Sequence, residues 1–412
     1  MKNKNFIIIV IGQIISLFGN AIQRFSMSLY LLEFTGSTAA FANILAISTI
    51  PYILFAPIAG KLSDNINKKK IMVYLDFFCS ILIGLYAIIL FSNNDNTYIV
   101  AIMMFLLSIC YTLYGPAVTT SIPQIVDEDK LTSANGIINQ VGSIVNFIAP
   151  ILAGVLYGLL GIKVIILINA ISFFISAIME LFLDIPDIDK SNNENNKVLS
   201  INFIINSFKD MKDSFIYLRK HKKVILGIIV SYALSNIFLV PILSIVTPYF
   251  INIFLGLPSE IYGLIEAICV LGMIIGALFI SVKPKFFSIK KVHHTHYPMI
   301  LGIFLMCFLE FIKGNSYVLA GIFAISGLFI MLSISLSNVL TLTFIQKEIP
   351  TNMLGRVSAF SVAIATISIT PGQLLYGQVI DMGIPLKYIF IVTLIINIGL
   401  VIFIKWNVRE VK

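Results

Sequence analysis

The sequence predicts an all-α polytopic membrane protein, with twelve transmembrane helices in two pseudo-symmetric six-helix bundles. Three observations carry that expectation. First, of 412 residues 58% are hydrophobic and 12% charged, with a mean hydropathy of +0.98, whereas a soluble domain carries roughly 25% charged residues. Second, apolar stretches of the length a bilayer needs, about 20 residues, recur along the whole chain. Third, the basic residues gather on alternate turns between those stretches.

Taken in order, the spans read as 6–32, 39–61, 71–91, 97–121, 136–159 and 162–183, then 223–250, 259–282, 298–312, 316–344, 357–380 and 386–404. The first runs on through polar Gln13, Asn20 and Gln23 and lacks a small-residue cleavage site, so it reads as a span and not a leader. Between the second and third lies Gly60-Lys61-Leu62-Ser63-Asp64-Asn65-Ile66-Asn67-Lys68-Lys69-Lys70. Three adjacent lysines do not sit in hydrocarbon, so this is a short hairpin on one side of a membrane. The other hairpins are short as well and force antiparallel neighbours.

The exception is 184–222. Asp184 to Lys197 is rich in Asp, Asn and Lys and reads as a flexible linker. From Ile201 to Lys223, apolar Phe203, Ile204, Phe208, Met211, Phe215 and Leu218 recur at helical spacing against Lys209, Lys212, Arg219 and Lys220. That pattern is an amphipathic helix on the membrane surface. The domains are therefore 1–183, an N-terminal bundle; 184–222, a cytoplasmic linker; and 223–412, a C-terminal bundle.

An even span number puts both termini on one side, and 24 of the 28 Lys and Arg residues fall on that side. The exceptions are Arg24, Lys163, Lys313 and Lys387. The positive-inside rule makes that side cytoplasmic. The halves echo each other: Asn135 to Pro150 and Arg356 to Pro371 both cover fifteen steps, and both prolines precede a Leu-, Tyr- and Gly-containing stretch. Duplicated six-span halves are the organisation of a rocking transporter.

Other classes are disfavoured. The net charge of +8 sits in loops and chain ends as an orientation signal, so no nucleic acid partner is expected. Cys79, Cys110, Cys269 and Cys307 all lie in apolar segments and read as packing residues. No G-x-x-x-x-G-K-[ST] loop occurs, so ATP does not drive the protein directly. No enzyme, no cofactor and no metal is expected. A membrane sensor or scaffold would need a large soluble domain, and the longest polar segment is 184–222. His293, His294 and His296 follow Lys290-Lys291 and read as a solvated loop.

At this point the chain resembles the major facilitator superfamily. The family's signature G-x-L-a-D-r-x-G-r-[KR] is matched by Gly60, Leu62, Asp64, Lys68 and Lys69, with Asn65 and Asn67 standing where the family has Arg and Gly. The branch most similar is bacterial drug efflux, including macrolide exporters. Further matches are Gly12-x-x-x-Ser16-x-x-Gly19-Asn20, Thr35-Gly36-Ser37, Gly115-Pro116-Ala117, Leu131-Thr132 and Leu354-Gly355-Arg356-Val357. Ala149-Pro150-Ile151-Leu152-Ala153-Gly154 is a degraded form of the antiporter motif G-P-x-x-G-G. The resemblance implies a monomeric, proton-coupled exporter of hydrophobic or amphiphilic small molecules, working by alternating access. It also implies a gate at Gly60, Asp64, Lys68, Lys69 and Arg356. A dedicated carrier for one metabolite, such as a siderophore or lipid, is the alternative.

Residue chemistry adds candidates. Gln13, Ser16, Asn20, Gln23, Arg24 and Met27 occupy roughly a 100° arc of the first span. Such a stripe faces protein or water, either as interhelical glue or as a cavity wall; Arg24 either lines the cavity or snorkels. Glu266, within span eight, is a candidate for protons or a cationic substrate. Asn139 and Asn146 on span five, with Tyr232 and Asn236 on span seven, read as further cavity lining or as helix–helix glue. Asp76 and Glu180 read as interfacial acids near span ends.

Overall fold

A computed structural model of the chain describes residues 4–127, 131–185, 201–282, 288–312 and 314–410. Every regular element among the described residues is helical. The expected linker from 186 to 197 lies outside them, as do Lys130 and Lys313 and the side chains of Gly60, Asp64 and Asn139.

Helices α1 (Lys4–Thr35), α2 (Thr38–Asn65), α3 (Lys68–Phe91) and α4 (Thr97–Ile125) follow one another through short turns. Polar caps cut these turns. Asn67 accepts a bond from the Lys70 amide at 3.4 Å, and Asn96 one from the Ile99 amide at 3.0 Å, satisfying donors that a helix start leaves orphaned. Helix α5 (Leu131–Leu181) contains two of the expected spans. It breaks at Gly161, whose φ of 69° and ψ of 174° suit a residue without a Cβ. The limbs 131–160 and 162–181 stand where 136–159 and 162–183 were expected.

After α6 (Ile201–His221), α7 (Lys223–Pro241) continues into wide π-helical turns at Ile242–Val246 and Tyr249–Phe254. Pro241 and Pro248 each remove a ladder donor, and the backbone re-registers around the gaps. Helix α8 (Ser259–Val282) follows. A 3₁₀ segment, Ile289–His296, leads into α9 (Tyr297–Met306), and α10 (Ser316–Glu348), α11 (Thr351–Asp381) and α12 (Leu386–Asn407) complete the chain. Among the described residues nine helices are long and apolar enough to cross a membrane. Gln140–Leu181 is one of the nine, yet its 42 residues at about 1.5 Å each cover twice the ~30 Å hydrocarbon thickness. With α2 and the shorter α9, twelve crossings fit.

The chain divides into two compact units: Met1–Phe34 with Ile47–Asn206, and Thr35–Ala46 with Ser207–Lys412. In the first, Phe6, Ile9, Ile71, Met72, Val118 and Ile122 knit α1, α3 and α4 together. In the second, the start of α2 docks on the end of α11. The Asp381 carboxylate accepts the Thr38 amide at 2.7 Å and the hydroxyls of Ser37 and Thr38, which caps α2 with a carboxylate from a distant helix.

Two expectations change. The apolar face of α6 does not simply lie on lipid: Leu218, with Met211, packs on Ile225, Ile345, Val357 and Phe360 of the second unit, because the ends of α7, α10 and α11 supply a closer apolar surface. Nor do the three histidines form a solvated loop. His294 is exposed, but His293 and His296 are buried. His296 Nδ1 lies 3.2 Å from the Val292 carbonyl oxygen and 3.5 Å from Ser337 Oγ. Burial, reinforced by the charge of neighbouring His293, pulls the His296 imidazole down to about 4. The four cysteines are free and buried, in keeping with a packing role.

Candidate functional site

The polar stripe of α1 faces inward within the first unit. Gln13, Ser16, Asn20, Gln23 and Met27 are spaced three or four residues apart, so they share one side of the helix. Ser16 Oγ stands 3.3 Å from Asp76 Oδ2 of α3 and 2.9 Å from Ser176 Oγ of α5. Further along, Gln23 accepts a bond from the Asn169 amide and donates to Met103 Sδ at 3.8 Å. Gly19 makes the Asn169 approach possible, since a Cβ there would collide with the Asn169 side chain.

Two cavities follow this stripe. One of about 40 Å³ is lined by Gln13, Ser16, Asn20, Asp76, Tyr111 and Tyr114, with the Cys79 and Cys110 thiols. The other, about 320 Å³, is lined by Asn20, Gln23, Arg24, Met27, Tyr52 and Tyr111, with Ser48, Thr49 and Leu107. Asn20 and Tyr111 line both. The larger falls in the size range of small-molecule sites, roughly 300–1,000 Å³. Its wall mixes apolar surface with a few polar groups and one guanidinium.

Asp76 and Glu180, expected near span ends, are buried within the first unit. They are 2% and 1% exposed. Asp76 lies two turns inside α3, and Glu180, although close to the end of α5, is covered by Tyr114, whose hydroxyl donates to Glu180 Oε1 at 2.5 Å. The sequence held a signal for this: Asp76 is the only charge between Ile71 and Phe91, and an ionisable residue within a span is a functional candidate by default.

The remaining candidates separate. In the second unit Tyr232 reaches α10, its hydroxyl 2.6 Å from Thr341 Oγ1 and donating to the Ser337 carbonyl at 3.1 Å. Asn236 donates to the Ala365 carbonyl of α11 at 3.2 Å. Both bonds tie helices together. Glu266 is half-buried on α8 and accepts the Tyr262 hydroxyl at 3.0 Å, one turn away. In the first unit Asn146 is exposed. Of the hairpin residues, Lys68 is buried and Lys69 half-buried, while Arg356, at the start of α11, is exposed.

A helical membrane protein with a polar-lined cavity beside buried carboxylates has the build of a carrier for small solutes. The chain belongs to the Major Facilitator Superfamily, whose family model matches residues 9–373. It is a membrane transporter and not an enzyme. It is 26% identical to macrolide efflux protein A of Streptococcus pyogenes over 399 residues, covering 95% of this chain and 93% of the relative. It is also 26% identical over 331 residues to macrolide efflux protein A of Enterococcus faecalis, covering 78% and 95%. Among solved structures, a point mutant of the nucleoside transporter NupG superposes with a TM-score of 0.77 at 13% identity, covering 98% of this chain and 99% of the other. A bacterial homologue of the iron transporter ferroportin, in its inward-facing state, gives 0.75 at 17%, covering 99% of each. These two likenesses speak for the fold alone.

Proposed function

We propose that the protein is a proton-coupled exporter of hydrophobic or amphiphilic small molecules of the macrolide kind, working by alternating access as a monomer. In this reading it sits in a bacterial plasma membrane with both termini and the 184–222 linker in the cytoplasm. The observation that carries it is the α1-lined cavity of about 320 Å³, in which Met27, Tyr52, Leu107 and Tyr111 offer apolar surface and Asn20 and Gln23 offer hydrogen bonds. Full-length similarity to macrolide efflux proteins supports the substrate class. Gln13 extends the cavity wall inward, and Asn139, Asn146, Tyr232 and Asn236 are the further candidates for substrate contact. The gate is Gly60, Asp64, Lys68, Lys69 and Arg356, and Glu266 takes a proton or meets a cationic substrate. Overexpression in a susceptible host tests the reading: raised resistance to erythromycin across a wider drug panel is expected, and unchanged resistance with a well-expressed protein would sink it.

Arg24 favours a second reading. A guanidinium in the cavity wall suits an anionic solute, so a dedicated carrier for one metabolite, such as an anionic siderophore or lipid, is the alternative. It predicts a narrow growth defect on gene deletion with no change in drug resistance.

A further inference from the structure

We infer that Asp76 and Glu180 form a proton-carrying carboxylate pair, charged and discharged through the small cavity beside α1. This rests on the proton-driven reading above and adds a proton site in the first unit to the candidate Glu266 in the second. The two acids come from α3 and the second limb of α5, and both are buried within the first unit. Ser16 joins them, touching Asp76 Oδ2 on one side and Ser176 Oγ on the other, and Ser176 lies one helical turn before Glu180. Gly12 of α1 lies over this turn: a Cβ there would make ordinary contact, 3.5 Å from Ser176 Oγ and 3.9 Å from Glu180 Oε1.

A second observation points to a missing hydrogen. Glu180 is 1% exposed, and its Oε2 is buried with no hydrogen-bond partner. A bare carboxylate oxygen in that position is costly, and two carboxylates sharing one low-dielectric site do not both remain ionised. Facing the pair are Gln13 and Ser16 from α1, Cys79 from α3, Cys110, Tyr111 and Tyr114 from α4, and Ser176 from α5. None of these is a cation. Arg24, further along α1, lines the larger cavity instead. A proton therefore compensates the pair.

The route is also present. The cavity of about 40 Å³ borders Asp76, and one water needs roughly 10–15 Å³ on this measure. Asn20 and Tyr111 line both this cavity and the larger one, and the buried Tyr111 hydroxyl lacks a hydrogen-bond partner, leaving it open to such a water. Loading forms one O–H bond on a carboxylate oxygen as a hydronium O–H breaks, and unloading reverses this. No other bond changes.

The test uses the full chain in liposomes, with infrared pH titration and radiolabelled erythromycin as probe. At neutral pH the wild type should show the C=O stretch of a protonated carboxylic acid, and D76N or E180Q should remove or shift it. Accumulation driven by a pH gradient should fall roughly tenfold or more in each variant, the scale of a coupling free energy between sites, while gradient-free exchange of erythromycin persists. If the wild type shows no such band, the pair is overturned without reference to any variant. If the variants keep both the band and the gradient response, the pair fails and proton drive survives. If the wild type exchanges erythromycin but ignores the gradient, proton drive itself fails, and the pair with it.

Discussion

The fit of Gly19 against Asn169 sets a measurable energy. Gly19→Ala places a methyl group where the Asn169 side chain already sits. Asn169 is 1% exposed and is held by its bond to buried Gln23, so it cannot swing into solvent. Either α1 moves off the second limb of α5 or the amide pair breaks. Overpacking of this kind costs about 1–3 kcal/mol. Asn169→Ala removes the bond from the other side and leaves Gln23 buried with less to bond, again a cost of about 1–3 kcal/mol. The double variant should be no worse than Asn169→Ala alone, because the new methyl enters the vacated space. Reversible unfolding of the full chain in mixed micelles, followed by circular dichroism, measures all three. The expected interaction energy is about 1–3 kcal/mol in favour of the double variant; additivity within about 0.5 kcal/mol would show that the two residues do not meet and refute the packing argument.

Other outcomes follow from single contacts. Asn67→Ala deletes the cap of α3 and should cost about 1 kcal/mol in the same unfolding assay, with Asn67→Asp recovering most of it. Tyr232→Phe removes the hydroxyl that makes both contacts from α7 to Ser337 and Thr341 of α10 and should lower stability by about 1 kcal/mol; a change in substrate selectivity instead would make Tyr232 a ligand contact. His296, outside the spanning segments, is held down to about 4 by burial, while an unfolded histidine titrates near 6.5. Between those values the unfolded chain binds a proton that the folded chain refuses. The stability is therefore complete above about pH 6.5 and is lost as the pH falls towards about 4, by roughly 3 kcal/mol in all. His296→Asn should flatten that acid limb.

Much of this architecture was legible because hydrocarbon imposes a simple rule. Runs such as Ile71–Phe91 have no polar alternative, so helix ends fall where Asn67, Asn96 and Asn315 interrupt the apolar pattern. The α1 stripe was legible for a related reason, since Gln13, Asn20 and Gln23 in one arc of a span must face something other than lipid. Partner-dependent features were not legible. Asp76 was visible as a lone charge, but its burial depends on Ser16 and Ser176, which are distant in sequence. His293 and His296 looked solvated because Lys290 and Lys291 precede them; Thr295 and Ser337, whose hydroxyls meet at 2.7 Å, are what close the 3₁₀ turn against α10. The docking of α6 likewise depends on Val357 and Phe360, far along the chain. Hydrophobic pattern says which face is apolar, and only the fold says what covers it.

Proton-driven export is tested most directly by transport in proteoliposomes containing the full chain alone, with an acidic lumen and radiolabelled erythromycin outside. Accumulation above the external concentration is expected in the inside-out fraction, abolished by a protonophore and absent from protein-free vesicles. Equilibration at the same rate with and without the gradient would contradict it.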